Sequence, residues 1–587
     1  MLMNENNSQS IPVLIQLGPE LGLISDSWRP FARKLAWQVS SDLTLLLSDL
    51  GIPGKAEVEI QTINSPHNLR VFVAGTEVRF SLTLVQRIHD YFSPTGVNAP
   101  TLDTHWGPQV VQLIAEDNQA AFFSTLIVEA IKEDLGVLLG DAQTAAYLKF
   151  GEASIAGVSK LDPERVQYIL WVLLKLKLSL KDPYRVLKLI EEWLRDRRPH
   201  EVAEELVTRL CPGKIQIAIN PDYLKEIAKA PSADKLEFDA QVKQRLQMLS
   251  DGLFFELGIR LPDIEVITSP TIRDAAFTIK INHVTSAPFP ALPAGQLLVN
   301  DTVERLKAIG VEGSRALNPA NGNECSVVSS ADFGKVSNDK LWIWTPFEFI
   351  VLSASAELRR NAWRLLHLEA VEHELAMLHA AFPDLVMATL TNTSLPLVTQ
   401  IARALIREEV SIRDLRAILE RILSYDYTVA DAREFIIFDD RLTFSIEPPP
   451  KEDHHPQHYA QYVRLGLKQY LTHKLSRGQN TLHVFMLTQE LEKQLIDHMA
   501  AEQGRPGTAR LTTDDHEAIL TAARSEFDNT TQAGAPIILT ISEIRSLIRE
   551  LLAPEFPAVS VVAYDELRPD SNIQRIGTIS LAAQATS

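Results

Sequence analysis

Apolar positions change period several times along the chain, and each change marks a change of element. Val13 to Leu17 is a short apolar run closed by Gly18-Pro19, which predicts an opening strand and turn. Trp28 to Leu50 carries its apolar residues at helical spacing. Two alternating segments follow, with Val58 and Ile60 set against Glu57 and Glu59, and Val71 and Val73 set against Arg70 and Phe72. Together these predict an α/β unit over 11–108. From about Gln109 to Leu210 the pattern turns helical, and its uncharged run Tyr168 to Leu174 has the length of a buried helix segment.

Residues 215 to 425 repeat that order, which predicts an internal duplication. Ile15-Gln16-Leu17-Gly18-Pro19-Glu20 recurs as Ile217-Ala218-Ile219-Asn220-Pro221-Asp222, and Leu50-Gly51-Ile52 as Leu257-Gly258-Ile259. Glu57-Val58 aligns with Glu265-Val266, and Leu138-Leu139-Gly140 with Leu365-Leu366-His367. Ser179-Leu180-Lys181-Asp182, before Val186, Leu187 and Ile190, aligns with Ser411-Ile412-Arg413-Asp414, before Ile418, Leu419 and Ile422. The distance between partners grows along the chain, as it does when a duplicated segment acquires a few insertions. In both copies serine and aspartate are spaced as a capping box, in which the serine oxygen accepts the N3 amide and the acidic residue reaches back to the N-cap amide.

Beyond Tyr427 the segment Ile446-Glu447-Pro448-Pro449-Pro450-Lys451-Glu452-Asp453-His454-His455-Pro456-Gln457-His458 reads as a linker. Strands at Leu482–Leu487, Pro536–Leu539 and Val559–Tyr564 alternate with helices at Thr488–Met499 and Ser542–Leu552, which predicts a small α/β sandwich with a partly parallel sheet. The fold class is α+β multidomain, with small α/β subdomains alternating with all-helical ones. The expected divisions are an α/β module at 11–108, a helical module at 109–210, a second α/β module at 211–345, a helical subdomain at 346–445, the linker at 446–458 and the C-terminal α/β subdomain at 459–587.

Composition narrows the class. The 587 residues are 45% hydrophobic and 22% charged, enough for several packed cores. With 57 Lys+Arg against 75 Asp+Glu the net charge is -18, a field that repels phosphate backbones, so nucleic acid is not an expected partner. Two cysteines, Cys211 and Cys325, exclude a disulfide framework and fit a reducing compartment. The first residues lack the basic start and cleavage site of a secretory signal. The two long uncharged stretches, His283 to Asn300 and Leu385 to Ala402, carry prolines or a polar middle, so no membrane span is expected.

Candidate chemistry is sparse. In His373-Glu374-Leu375-Ala376-Met377-Leu378-His379 the second histidine comes at i+6, off the face that a helical zinc site requires. His454, His455 and His458 fall among linker prolines. No Gly-Lys pair has phosphate-loop spacing, and no nucleophile elbow or dinucleotide fingerprint occurs. Asp514, Asp515 and His516 read as a helix start, with a metal pocket as the rival. No catalytic residue, cofactor or metal site is expected.

The string Arg407-Glu408-Glu409-Val410-Ser411-Ile412-Arg413-Asp414-Leu415-Arg416-Ala417-Ile418-Leu419-Glu420 resembles the helical signature of the FHIPEP family, the export-gate proteins of flagellar and virulence type III secretion. Leu257-Gly258-Ile259, the segment Pro293 to Leu298, Ala535 to Arg545 and Val561 to Leu567 resemble further parts of its cytoplasmic region. The resemblance spans about Leu210 to Ile579. It implies a cytoplasmic, non-enzymatic platform that docks export substrates or their chaperones, forms a nine-membered homo-oligomeric ring, contacts secretion-apparatus proteins and lies peripheral to the inner membrane. A soluble interaction scaffold working outside secretion is the alternative. The family's chaperone-docking string Asp-Pro-x-Phe-Gly aligns with Asn318-Pro319-Ala320-Asn321-Gly322, which makes Asn318, Pro319, Asn321 and Gly322 the candidate partner-binding residues, with the acid and the aromatic both replaced.

Overall fold

The computed structural model describes residues 10–18, 28–63, 69–93, 111, 114–152, 155, 157–228, 235–320, 323–338, 341–432, 456–479, 481–502, 511–529 and 535–581. The chain divides into two compact units, Met1–Val371 and Glu372–Ser587.

Unit 1 opens with strand β1 (Ser10–Leu17), helix α1 (Trp28–Leu50), and strands β2 (Lys55–Thr62), β3 (Leu69–Val73) and β4 (Thr76–Val78), in sheet order β2-β1-β3-β4. β1 pairs in parallel with β2 and antiparallel with β3. Alternation along β1 buries Ile11, Val13, Ile15 and Leu17 in one core with Leu35, Val39, Leu43 and Leu47 of α1. Six helices continue this core: α2 (Leu82–Phe92), α3 (Glu116–Glu133), α4 (Asp141–Glu152), α5 (Pro163–Lys175), α6 (Pro183–Trp193) and α7 (Pro199–Leu210).

The second module repeats this plan. Strand β5 (Lys214–Ile219) is followed by α8 (Pro221–Ala228) and α9 (Lys235–Leu257), then β6 (Asp263–Thr268), β7 (Ala276–Ile281) and β8 (Val284–Thr285), in order β6-β5-β7-β8. β5 again pairs in parallel with β6 and antiparallel with β7. Helices α1 and α9 both have 23 residues and both end at a left-handed glycine, Gly51 at φ 75° and Gly258 at φ 81°. The register corrects one sequence match. Val13 faces Val58 and Ile215 faces Ile264, so the counterpart of Val58 is Ile264 and not Val266. A slip of two keeps every side chain on its own face, so the hydrophobic pattern is blind to it.

Residues 211–345 hold more than one sheet. β9 (Phe289–Pro290) pairs with β7, and an antiparallel sheet of β10 (Gln296–Val299), β11 (Gly313–Leu317), β12 (Glu324–Ser329) and β13 (Ile343–Trp344) follows in order β11-β12-β10-β13. It includes the short helices α10 (Val303–Ala308) and α11 (Phe333–Asn338). The first module has no counterpart of this sheet among the described residues.

The helical repeat then resumes with α12 (Pro346–Arg360), α13 (Ala362–Leu365) and α14 (Leu368–His379). α12 ends 227 residues after α3, and the 12 residues of α14 begin and end 227 after those of α4. In unit 2, α15 (Pro383–Asn392) precedes α16 (Leu395–Arg407) and α17 (Leu415–Ala432). α16 matches α5 residue for residue at a distance of 232, and the buried set Val166, Ile169, Leu170, Leu173 and Leu174 recurs as Val398, Ile401, Ala402, Leu405 and Ile406.

The rest of unit 2 comprises α18 (Pro456–Gly466), α19 (Lys468–Ser476), β14 (Thr481–Leu487), α20 (Gln489–Glu502), α21 (Thr513–Asp528), β15 (Ile537–Thr540), α22 (Ser542–Leu552), β16 (Ser560–Ala563) and β17 (Asn572–Ile579). The sheet order is β16-β15-β14-β17 and every neighbouring pair is parallel, where the sequence predicts only partial parallelism. α21 begins where Asp514, Asp515 and His516 read as a helix start, whereas the pattern predicts no strand at β17. His458 lies in α18, so a helix enters the stretch read as linker, while residues 446–455, with His454 and His455, lie outside the described residues. Among the described residues no helix is long and apolar enough to cross a membrane.

Candidate functional site: a docking turn used twice

The segment between α5 and α6 and its repeat between α16 and α17 form one turn built twice. In the first copy Leu178 N–H donates to Leu173 O at 2.9 Å and Lys177 N–H to Leu174 O at 2.8 Å; in the second Val410 N–H donates to Leu405 O at 2.9 Å and Glu409 N–H to Ile406 O at 2.8 Å. These bonds close the helix C-terminus through one left-handed residue. That residue is Lys177 at φ 59° and Glu409 at φ 57°. Glycine is the usual occupant, and a side chain there costs roughly 1–2 kcal/mol, so both copies carry a strained charged residue at the same point.

The turn also settles which side chain caps the next helix. Asp182 Oδ1 accepts from Arg185 N–H at 3.0 Å and Asp414 Oδ1 accepts from Ala417 N–H at 3.0 Å, which makes aspartate the N-cap. Ser179 Oγ accepts from Lys181 N–H at 3.2 Å and Ser411 Oγ from Arg413 N–H at 3.3 Å. The serines form local side-chain turns two residues long, not the reciprocal capping box that the spacing suggested. The reason is that Asp is itself an excellent N-cap and sits next to the first helical residue.

What makes the turn a site is that each copy receives an element from further along its own unit. In unit 1 the β7–β8 turn plugs the first copy. His283 N–H donates to Lys177 O at 3.0 Å, Ser179 N–H donates to His283 Nδ1 at 3.0 Å, and Asn282 Nδ2 donates to Leu176 O at 2.6 Å. In unit 2 helices α18 and α19 fill the second copy. Ser411 N–H donates to Tyr470 Oη at 3.1 Å, and Lys474 Nζ donates to Glu409 O. The same backbone groups, the serine amide and the carbonyl of the left-handed residue, are thus satisfied by an incoming partner in both.

Their electrostatics differ. Leu176 of the first copy corresponds to Glu408 of the second. Glu408 contacts Arg464 at 3.0 Å and Arg545 at 3.2 Å, and both arginines reach Glu566, Arg464 through two bonds of 2.6 and 2.8 Å. Arg464, Arg545 and Glu566 are buried. Burial alone would raise the Glu408 carboxyl, but the Arg464 and Arg545 charges outweigh it and hold it at about 2. Beneath the first turn the charges come from other elements. Lys177 lies 3.9 Å from Glu133, and Arg364 donates to Lys175 O at 3.0 Å and contacts the Glu133 carboxylate at 3.4 Å. Burial pushes the Lys177 ammonium down. Glu133, against its own burial, is held at about 2 by Lys177 and Arg364, although its side chain remains 38% exposed and water screens the pair.

The other sequence candidates lie elsewhere. Asn318 is buried; its Oδ1 accepts from Ala320 N–H at 2.9 Å and its N–H donates to Asn323 O at 2.8 Å, so it closes the β11–β12 hairpin. Pro319 is half-buried beside it, and Asn321 and Gly322 lie outside the described residues. Thr512 and Asp515 form the capping box that starts α21, which gives Asp515 a structural role. His373 and His379 share α14, and among the described residues no three His, Cys, Asp or Glu side chains converge to hold a metal.

Comparison with known proteins gives the second turn a wider context. The FHIPEP family profile matches residues 225–572, more than half of the chain. The chain belongs to the FHIPEP family. It is similar to the low calcium response locus protein D of Yersinia pestis, 23% identical over 56% of this chain and 43% of that protein, and to the flagellar biosynthesis protein FlhA of Treponema pallidum, 24% identical over 60% and 46%. The chain therefore spans about half the length of the curated relatives it matches. Among solved structures, CdsV of Chlamydia pneumoniae, in its complex with CdsO, is 25% identical, with a TM-score of 0.52 over 62% of this chain and 97% of that one. The FHIPEP match holds the second turn with its partners Tyr470, Lys474, Arg464 and Arg545. It also holds Asn282 and His283, while the first turn, Leu176 to Asp182, lies ahead of it.

Sequence reasoning picked out both Ser-x-x-Asp segments but none of the groups that fill them. One signal was available: Asn282-His283 between two apolar strands is a tight-turn pair with an Asn suited to positive φ, and Asn282 does sit at φ 53°.

Proposed function

We propose that the protein is a non-enzymatic component of a type III-like protein secretion apparatus, flagellar or virulence-type, that docks export substrates or their chaperones on the cytoplasmic side of the inner membrane. The observation that carries this reading is the FHIPEP match over residues 225–572, supported by similarity to nearly the whole of the solved CdsV chain, which has been captured in complex with another protein, CdsO. Buried charge in the second turn is spent on structural pairing, and the titratable groups there are fixed by arginine, an arrangement suited to holding domains in place and not to proton transfer. Affinity capture of the full chain from its own cells tests the proposal: secretion-apparatus proteins should be retained, and their absence under low- and moderate-salt washes contradicts it.

A scaffold outside secretion is the second reading, and one observation favours it. The repeated first module, which we propose arose by duplication, already engages the second module within unit 1 through Asn282 and His283. Solution mass separates the two readings. A ring of about nine copies supports the secretion platform, and a stable monomer supports the scaffold.

A further inference from the structure

Cys211 stands where the first module passes into the second. It follows α7, donates its N–H to Val207 O at 2.9 Å, and leads within three residues to β5. Its Sγ lies 3.0 Å from His367 Nε2, receives the Gly213 N–H at 3.5 Å and, as a thiol, can donate to Asn282 Oδ1 at 3.7 Å. His367 O accepts from Ala370 and Val371 N–H at 3.1 and 3.2 Å, so the imidazole stands at the start of α14. The thiol is half-buried. Cys325, in contrast, is wholly buried, and burial pushes its thiol up to about 11.

An imidazole in direct contact with a thiol can take its proton, leaving a thiolate beside an imidazolium, and the Gly213 amide adds a donor to the anion. The C-terminus of α7 opposes this with about half a charge and the Asn282 Oδ1 dipole opposes it from 3.7 Å, but a whole imidazolium charge at 3.0 Å is the larger influence. We infer that Cys211 and His367 form a reactive thiolate–imidazolium pair, a modification site for hydroperoxide oxidants and soft electrophiles at the joint between the two modules of unit 1. With hydrogen peroxide the thiolate sulfur attacks one oxygen and an S–O bond forms as the O–O bond breaks. The departing hydroxide takes the imidazolium proton and leaves as water; sulfur is oxidised by two electrons to a sulfenic acid and the peroxide is reduced. An added group on Sγ crowds His367 and Asn282, and Asn282 is the residue that plugs the first turn. The inference is independent of the secretion reading.

Alkylation of the native full chain by iodoacetamide, followed by peptide mass mapping from pH 5 to pH 9, tests it with Cys325 as the internal reference. At pH 6 Cys211 should react at least about ten times faster in the wild type than in His367→Gln, and the ratio should approach one by pH 9, where an ordinary thiol, of pKa about 8.5, ionises unaided. Equal rates and equal pH profiles in both proteins overturn the inference. If His367→Gln does not fold, the wild-type profile alone decides: an inflection well below 8.5 supports the pair, and one at or above 8.5 overturns it. Labelled protein should also exchange the Ser179 amide faster, and unchanged exchange overturns the link to the joint.

Discussion

The first and second docking turns have the same backbone, a left-handed residue at the same position and the same serine and aspartate roles, yet they are filled in different ways. The first is plugged by a hairpin turn through backbone and amide bonds; the second is locked by helices carrying Tyr470, Lys474 and a buried charge network around Glu408. A conserved geometry therefore supplies two fixed sockets, an exposed-in-isolation amide and a carbonyl, and leaves the choice of plug to the rest of the unit. The difference is greatest at Leu176 against Glu408, where an apolar residue needs no partner and a carboxylate takes two arginines, and Lys177 against Glu409 reverses the charge of the left-handed residue.

The largest effect is expected from making the second turn resemble the first. Glu408→Leu leaves Arg464 and Arg545 sharing Glu566 alone, and breaking a buried ion network of this kind costs about 3–5 kcal/mol. Urea unfolding should show the loss in the transition that carries unit 2.

Next comes Gly51→Ala. Gly51 sits at φ 75°, and a Cβ there would lie 2.4 Å from the Lys181 backbone nitrogen, inside the first turn, while Leu180 N–H donates to Leu50 O at 2.6 Å. Strain of about 1–2 kcal/mol from the backbone alone is compounded by a clash with main chain that cannot give way. Gly75→Ala is the matched control, at φ 83° with open space around it, and should cost the backbone strain only. Equal thermal shifts for the two variants would remove the first turn from the explanation.

Asn282→Ala should cost about 1–3 kcal/mol through the lost buried hydrogen bond to Leu176 O, read as faster amide exchange at the first turn with the second unchanged.

The smallest effect is one of pH. His283 accepts the Ser179 N–H on Nδ1, and burial, reinforced by the Lys280 charge, lowers its pKa from the usual 6.5. The unfolded chain binds the proton more readily, so stability present above about pH 6.5 is lost as pH falls from there through the lower folded value. Glu408 and Glu133, held at about 2, lose their contributions only below the ordinary carboxylate range near 4.5. Lowering pH from 7 to 5.5 should loosen the first turn by less than about 1 kcal/mol, discounted for the solvent that reaches His283, and leave the second as it was.

Much of this was legible in the sequence because local patterns carry it. The 23 residues from Trp28 to Leu50 and the strands of β1 and β3 follow their periodicities, and Ser179 with Asp182 and Ser411 with Asp414 marked the repeated turn. Other features depended on distant partners. β17 is an edge strand whose Asn572, Gln574 and Arg575 face water, so its polarity masked it. Asp182 and Asp414 are the caps in place of the serines because each helix starts three residues later than the spacing implied. Nothing local marks Arg464 and Arg545 as buried, because their partners Glu408 and Glu566 lie far from at least one of them in sequence.

Amide-resolved hydrogen exchange on the full chain and its Asn282→Ala variant tests the central claim most directly. Both Ser179 and Ser411 amides should be strongly protected in the wild type, and the variant should release Ser179 while Ser411 stays protected. A Ser179 amide that exchanges freely in the wild type, or two amides that respond alike to Asn282→Ala, would contradict a turn that is filled separately in each unit.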